Sequence, residues 1–154
     1  MIEGNISIED FKNSAGAELG PSDWLLIDQE RINRFADATD DYQFIHVDPE
    51  KAAETTFGST IAHGFLSLSV LPHLLAQIMP IPDGLVMGIN YGFDKVRFLA
   101  PVRAGKRVRV HAEVISVDQK DDNRFLIKQG ISVEIEGEET PALVAEWLSM
   151  LVTG

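Results

Sequence analysis

From Ser59 to Pro80 the chain reads "STIAHGFLSLSVLPHLLAQIMP", and beyond Asp83-Gly84 the pattern of apolar residues changes from helical to alternating. Ile61, Phe65, Leu66, Leu68, Val70, Leu71, Leu74, Leu75 and Ile78 cover nearly the whole helical wheel. A helix apolar on all sides is a buried helix. His63, Ser67, Ser69, His73 and Gln77 make it too polar to span a bilayer, so a sheet must wrap it. Pro72 predicts a kink or a locally broken hydrogen-bond ladder. The alternation that follows predicts strands at about 85–91, 95–100, 106–118, 124–136 and 142–151. Val108, Val110, Ala112 and Val114 share one face of the third, and Phe125, Ile127, Ile131, Val133 and Ile135 share one face of the fourth. A long buried helix with antiparallel strands curled around it is an α+β architecture.

Upstream, Ile27-Asp28-Gln29-Glu30-Arg31-Ile32 is a helix start, with Asp28 as N-cap, Glu30 in the first turn and Ile27 placed to staple onto Ile32. The helix is expected to end near Thr39. Asp48-Pro49 starts another, with proline at the first helical position. The stretch between, "DDYQFIHVDPEKA" from Asp40 to Ala52, is therefore a short irregular bridge in which ionisable groups flank an apolar pair, Phe44-Ile45. Loops held by rigid elements on both sides commonly carry catalytic groups.

A chain of 154 residues suits one domain, 1–154, able to bury ~68–70% of the surface of its unfolded form. The net charge of -11 argues against nucleic acid, since phosphate binding needs a surplus of Lys and Arg. The absence of cysteine excludes a disulfide framework and a thiolate nucleophile. The acidic start "MIEGNISIEDF" has no signal-peptide character, so a cytoplasmic location is expected.

"DDYQFIHVDPEKA", then "IAHGFLSLS", then "NYGFDKVRFLAPVRAG" resemble, in that order, the MaoC-like branch of the hot-dog-fold proteins. That branch includes the (R)-specific enoyl-CoA hydratases and the nodulation-protein-N-like dehydratases. The resemblance runs from about Ile27 to Val152 and implies a single hot-dog fold, an antiparallel sheet wrapped around a long central helix. The hydratase motif is Asp, any residue, Asn, Pro, an aliphatic residue, His; here Asp41, Tyr42, Gln43, Phe44, Ile45 and His46 fill it. The match implies that Asp41 and His46 are the catalytic pair and that the backbone N–H of Gly64 polarises the substrate carbonyl. Gln43 and Phe44 depart from the pattern. Gln keeps an amide on a longer arm, and Phe frees a backbone that Pro would fix.

The reaction so implied is the reversible hydration of a trans-2-enoyl-CoA to an (R)-3-hydroxyacyl-CoA, with no cofactor and no metal. It needs a base for water and a proton donor near the α-carbon. A carboxylate accepts only, whereas an imidazole accepts, donates and orients. Phe44 and Ile45 are expected to seat the loop and to bury the carboxylate beside them, making it a better base. No Asp or Glu lies between Thr55 and Pro82, whereas related thioesterases resemble one another in placing a carboxylate on that helix.

Substrate contacts are expected from Gln43, Phe44, His63 and Phe65, with His63 equally readable as a structural histidine. A metal cluster of Asp41, His46 and Asp48 is not expected, because no additional His shares the motif and Asp48 is explained as a cap. Lys95, Arg97, Arg103, Lys106, Arg107 and Arg109 place six of thirteen basic residues close together. Arg97, Arg103 and Arg107 are candidates for the phosphates of an acyl-CoA thioester, and two solvated strand faces are the alternative. The family resemblance also implies a homodimer sharing one sheet, with no membrane partner. A non-catalytic acyl-thioester binding or accessory protein is the second reading, and a thioesterase the third.

Overall fold

The computed structural model describes residues 4–154, so the first three residues of the acidic start lie outside the described chain. Its frame is one antiparallel sheet. Four long strands, β5 (Leu85–Phe98), β6 (Lys106–Gln119), β7 (Arg124–Ile135) and β8 (Leu143–Thr153), are joined by the short β2 (Glu18–Leu19) and β3 (Leu25–Ile27). The order is β2-β6-β7-β8-β5, with β3 also on β6, and β1 (Asn5–Ile6) pairs in parallel with β4 (Ile81–Pro82) apart from it.

The strand pattern accounts for the core. Phe125, Ile127, Gln129, Ile131, Val133 and Ile135 of β7 are all buried, while the residues between them are not. Val108, Val110, Ala112 and Val114 of β6 do the same one strand over. Each such aliphatic or aromatic side chain contributes about 1.5–3 kcal/mol on burial. The two predicted strands 85–91 and 95–100 are one strand, β5, with shifts of register against β8 between Leu85 and Met87, between Asn90 and Gly92 and between Phe93 and Lys95. Irregular alternation there hid its continuity.

The central helix differs from expectation in two ways. It is two short helices, α5 (Gly64–Ser69) and α6 (Leu71–Leu75), with the break at Val70 and Pro72 in the first turn of α6, where its missing N–H costs nothing. Burial is also not all round. Leu66, Leu71, Leu74 and Leu75 are in the core, but Phe65 is 67% exposed and His73 is exposed, because the sheet covers one side of the pair and the start of α5 stands at its rim.

On the N-terminal side lie α1 (Ile8–Lys12), capped by Ser7, and α2 (Gln29–Thr39), capped by Asp28 whose carboxylate accepts from the Arg31 N–H at 2.9 Å. The expected irregular bridge contains a helical turn, α3 (Phe44–Val47), followed by α4 (Pro49–Ala53) under the Asp48 cap. Among the described residues, no helix is long and apolar enough to cross a membrane.

Candidate active site

Asp40, the C-cap of α2, has φ 60°, a left-handed conformation that aspartate tolerates better than most residues. The chain therefore turns sharply and releases Asp41 beside α2. Tyr42 Oη donates to Asp37 at 2.9 Å and holds the turn on the helix. The next residues do the reverse of what their polarity suggests. Phe44 is 41% exposed and Asp41 is exposed, while His46 is 7% exposed. The apolar knot does not bury the aspartate; the helical turn of α3 points the histidine inward instead.

Backbone lacing explains how a polar ring is held there. Residues 60–62 run extended between α3 and the loop before β6: the Ile61 N–H donates to Ile45 O at 3.0 Å, and the Ala62 N–H to Val102 O at 2.7 Å. Ile61 O is thereby presented to His46 Nδ1 at 2.7 Å. A carbonyl only accepts, so Nδ1 carries the proton and Nε2 keeps its lone pair. Gln29, the first residue of α2, donates from Nε2 to His46 O at 2.7 Å and accepts from Thr60 Oγ1. Burial pushes the His46 imidazole below its ordinary value of 6.5, and His63 adds a smaller push the same way; the Ile61 carbonyl and Asp41 oppose them without prevailing.

A carboxylate oxygen of Asp41 and one ring nitrogen each from His46 and His63 lie within 4.8 Å of one another. Two hydrogen bonds of about 2.8 Å meeting at one oxygen span up to about 5.5 Å, so one water can be held between such groups. The gathered histidine is His63, not Asp48, whose carboxylate caps α4 by accepting from the Lys51 N–H at 3.1 Å. A cation would need lone pairs from both rings, and His63 offers only a fully shielded Nδ1, because its Nε2 faces Asp41 O at 3.0 Å.

Gly64 begins α5. Leu66 and Ser67 return their N–H groups to His63 O, and those of Gly64 and Phe65 are, among the described residues, first donors without a partner. The space that a side chain at Gly64 would take is filled by Phe98, whose ring would meet a Cβ at 3.0 Å. Phe65 sits edge-on to Phe98, with centroids 5.9 Å apart. Gln43 caps α3 without a side-chain bond.

The basic residues do not converge. Arg97 is on β5 and Arg107 on β6, with β7 and β8 between them, a separation of about 14 Å across the sheet. Arg107 is paired with Glu136 and Arg109 with Glu134, and both guanidinium groups lie over Trp24, at 5.7 and 4.2 Å. Arg103 alone joins the strip that carries the site: it forms an isolated bridge with Ile61, donates to Phe57 O at 2.8 Å and lies 3.5 Å from Glu138. A cleft of about 700 Å³ lies on the outer side of the sheet beside Glu18, His111 and Glu146. An apolar cavity of about 290 Å³ lies along α6, walled by Leu75, Met79, Ile89, Ile127, Trp147 and Leu151.

Sequence reasoning missed Gln29, Thr60 and Phe35. They stand 17, 14 and 11 positions from His46, and nothing in their local pattern marks them.

A sheet wrapped over a broken central helix, with an acid and two imidazoles meeting at the helix start, defines a hot-dog-fold enzyme of the hydratase/dehydratase class. The chain belongs to the MaoC-like domain family, whose model matches residues 10–135. It is 47% identical over 140 residues to 3-hydroxyacyl-thioester dehydratase Z of Mycobacterium tuberculosis (strain ATCC 25618 / H37Rv), covering 91% of this chain and 92% of the relative. It is 47% identical over 146 residues to Nodulation protein N of Rhizobium meliloti (strain 1021), covering 94% and 91%. Among solved structures, the monoamine oxidase regulatory protein from Archaeoglobus fulgius superposes with a TM-score of 0.78 at 25% identity, over 100% of this chain and 99% of that one.

Proposed function

We propose that this protein reversibly hydrates trans-2-enoyl-CoA thioesters to (R)-3-hydroxyacyl-CoA, as a single MaoC-like domain over 1–154, in the cytoplasm. The observation that carries the reading is the meeting of the Asp41 carboxylate with the imidazole of His46, whose unprotonated Nε2 is fixed by the Ile61 carbonyl. A water between them donates one hydrogen to each. As its oxygen bonds to the β-carbon, the pair takes one proton, and that proton is returned to the α-carbon, so the product gains one H and one OH. A histidine of depressed basicity releases a proton readily. The negative charge passing through the thioester oxygen meets the unpaired N–H of Gly64, a donor worth ~10²–10³ in rate. The name of the mycobacterial relative, a 3-hydroxyacyl-thioester dehydratase, supports the substrate class.

Substrate contacts fall to Gln43, Phe44, His63 and Phe65 around the site, with Arg97, Arg103 and Arg107 as candidates for the nucleotide; Arg103 is the best placed. The apolar cavity along α6 suits an acyl tail. A homodimer completes the picture. The outer edge of β5 is unpaired among the described residues and carries Val86, Met87, Ile89, Tyr91 and Phe93, all exposed, an apolar edge that a second copy would cover.

The exposed Asp41, together with Gln43 and Phe44 in place of Asn and Pro, favours one alternative, a protein that binds acyl thioesters without turning them over. The deciding experiment follows the loss of enoyl-thioester ultraviolet absorbance with short and medium chains, alongside a free-thiol assay. Hydration without thiol release supports the proposal; binding without turnover establishes the alternative; thiol release establishes a thioesterase.

A further inference from the structure

His63 is proposed above as a substrate contact and takes no part in the proton transfers, yet it is the least exposed polar residue of the site, at 2%. Its ring touches two others. One face stacks on His46, centroids 3.9 Å apart and planes 23° apart, and Phe35 of α2 lies 4.9 Å away in a tilted contact. Its Nε2 is 3.0 Å from the backbone O of Asp41. Its backbone is the N-cap of α5, extended at φ −56° and ψ 137°, and its carbonyl accepts from Leu66 and Ser67. One residue thus touches the backbone of Asp41, the ring of His46 and the peptide that carries Gly64.

The protonation state follows from the partners. Asp41 O can only accept, so Nε2 carries the proton. Nδ1 is enclosed against the face of the other imidazole and has no hydrogen-bond partner among the described residues. With Nε2–H committed to a backbone carbonyl and Nδ1 enclosed, the ring presents no nitrogen to substrate in this arrangement. The titratable groups that face the two rings are each other and Asp41; α2 presents the neutral Phe35 and Gln29, and residues 60–62 present backbone.

We infer that His63 is a positioning residue: its Nε2–H fixes the backbone of Asp41 while its ring fixes the plane of His46, so that the lone pair of one and the carboxylate of the other meet on the same water. This rests on the hydratase reading for its consequence in rate, but not for its geometry. A misplacement of about 1 Å in such a pair is worth about 10²-fold in rate.

The test uses the full-length protein in two arms. ¹⁵N spectra, with the signals assigned through His63→Gln and His46→Gln, are expected to show the His63 proton on Nε2 and the His46 proton on Nδ1. The Cε1–H signal of His46 is expected to lose its ring-current shift in His63→Gln. In the kinetic arm, His63→Phe keeps a stacking ring but loses the N–H, and is expected to lower kcat by about 10²-fold with KM little changed. His63→Gln restores a donor where Nε2 stood and is expected to recover a large part of that loss, which a merely structural role would not produce. A His63 proton on Nδ1 in place of Nε2, an unmoved His46 signal, or a parental kcat in folded His63→Phe each overturns the inference. If the parent turns over no thioester, the proposed function fails, and the spectra alone still decide the role of His63.

Discussion

Phe98 occupies the place where a side chain at Gly64 would begin, its ring 3.0 Å from an ideal Cβ. A side chain at this point would need its neighbour to shift by a few tenths of an ångström. In Gly64→Ala the half-exposed Phe98 can give way, so stability is expected to change by less than about 1 kcal/mol while kcat falls about tenfold through a displaced α5 start. Urea unfolding beside turnover measures both. Adding Phe98→Ala is expected to recover kcat, and failure to do so would place the defect in the Gly64 backbone itself.

Asp41→Asn and His46→Gln each remove one acceptor of the water while keeping size. Gln at 46 can still donate to Ile61 O, so the fold is expected to survive. Turnover of enoyl thioester is expected to fall about 10²–10⁴-fold in each, and the double variant to be little worse than either. Additive losses would separate the two groups mechanistically.

His46 also gives the protein a pH signature. Its folded value lies below 6.5, chiefly through burial, so between the two values the unfolded chain binds the extra proton and the folded chain does not. Stability is then undiminished above about 6.5 and falls as pH drops from there towards the folded value. Unfolding free energies measured from pH 7.5 to 5 are expected to decline less in His46→Gln than in the parent. The acid limb of kcat is expected below pH 6.5 for the same reason.

The two clusters of arginine are separable by substrate. Arg103→Gln is expected to raise KM about tenfold for a CoA thioester, as for a charge-assisted hydrogen bond of about 1.5 kcal/mol, and to leave a pantetheine thioester without the nucleotide unaffected. Arg109→Gln, whose guanidinium is held by Glu134 and Trp24, is expected to change neither KM. Steady-state kinetics with the two thioesters decides it.

Edge-strand pairing predicts that a charge on β5 stops assembly. Ile89→Lys with Tyr91→Lys is expected to convert a dimer to a monomer in analytical ultracentrifugation, since lysine on an edge blocks strand addition. A parent that sediments as a monomer would refute the shared sheet.

Period and punctuation, both local properties, were enough for much of this molecule. The alternation of β6 and β7, the caps at Asp28 and Asp48, and the pairing of Asp41 with His46 were legible because the chain itself carries the period, the cap and the motif. Legible too was the break near Pro72, though not that it falls at Val70. Other features depend on residues far apart in the chain. That His46 turns inward while Phe44 turns out is decided by Ile61 O; that His63 joins the site is decided by Asp41 O, 22 positions away. The six basic residues do not form one patch, because the strand order puts β7 and β8 between β5 and β6 and the carboxylates of β7 pair with the arginines of β6. The sequence by itself determined where the main helices and strands lie and which residues have chemistry to offer. Only the tertiary structure decided which of those groups meet, because hydrogen bonds and ring contacts between distant segments exist only after the sheet has closed over the helix.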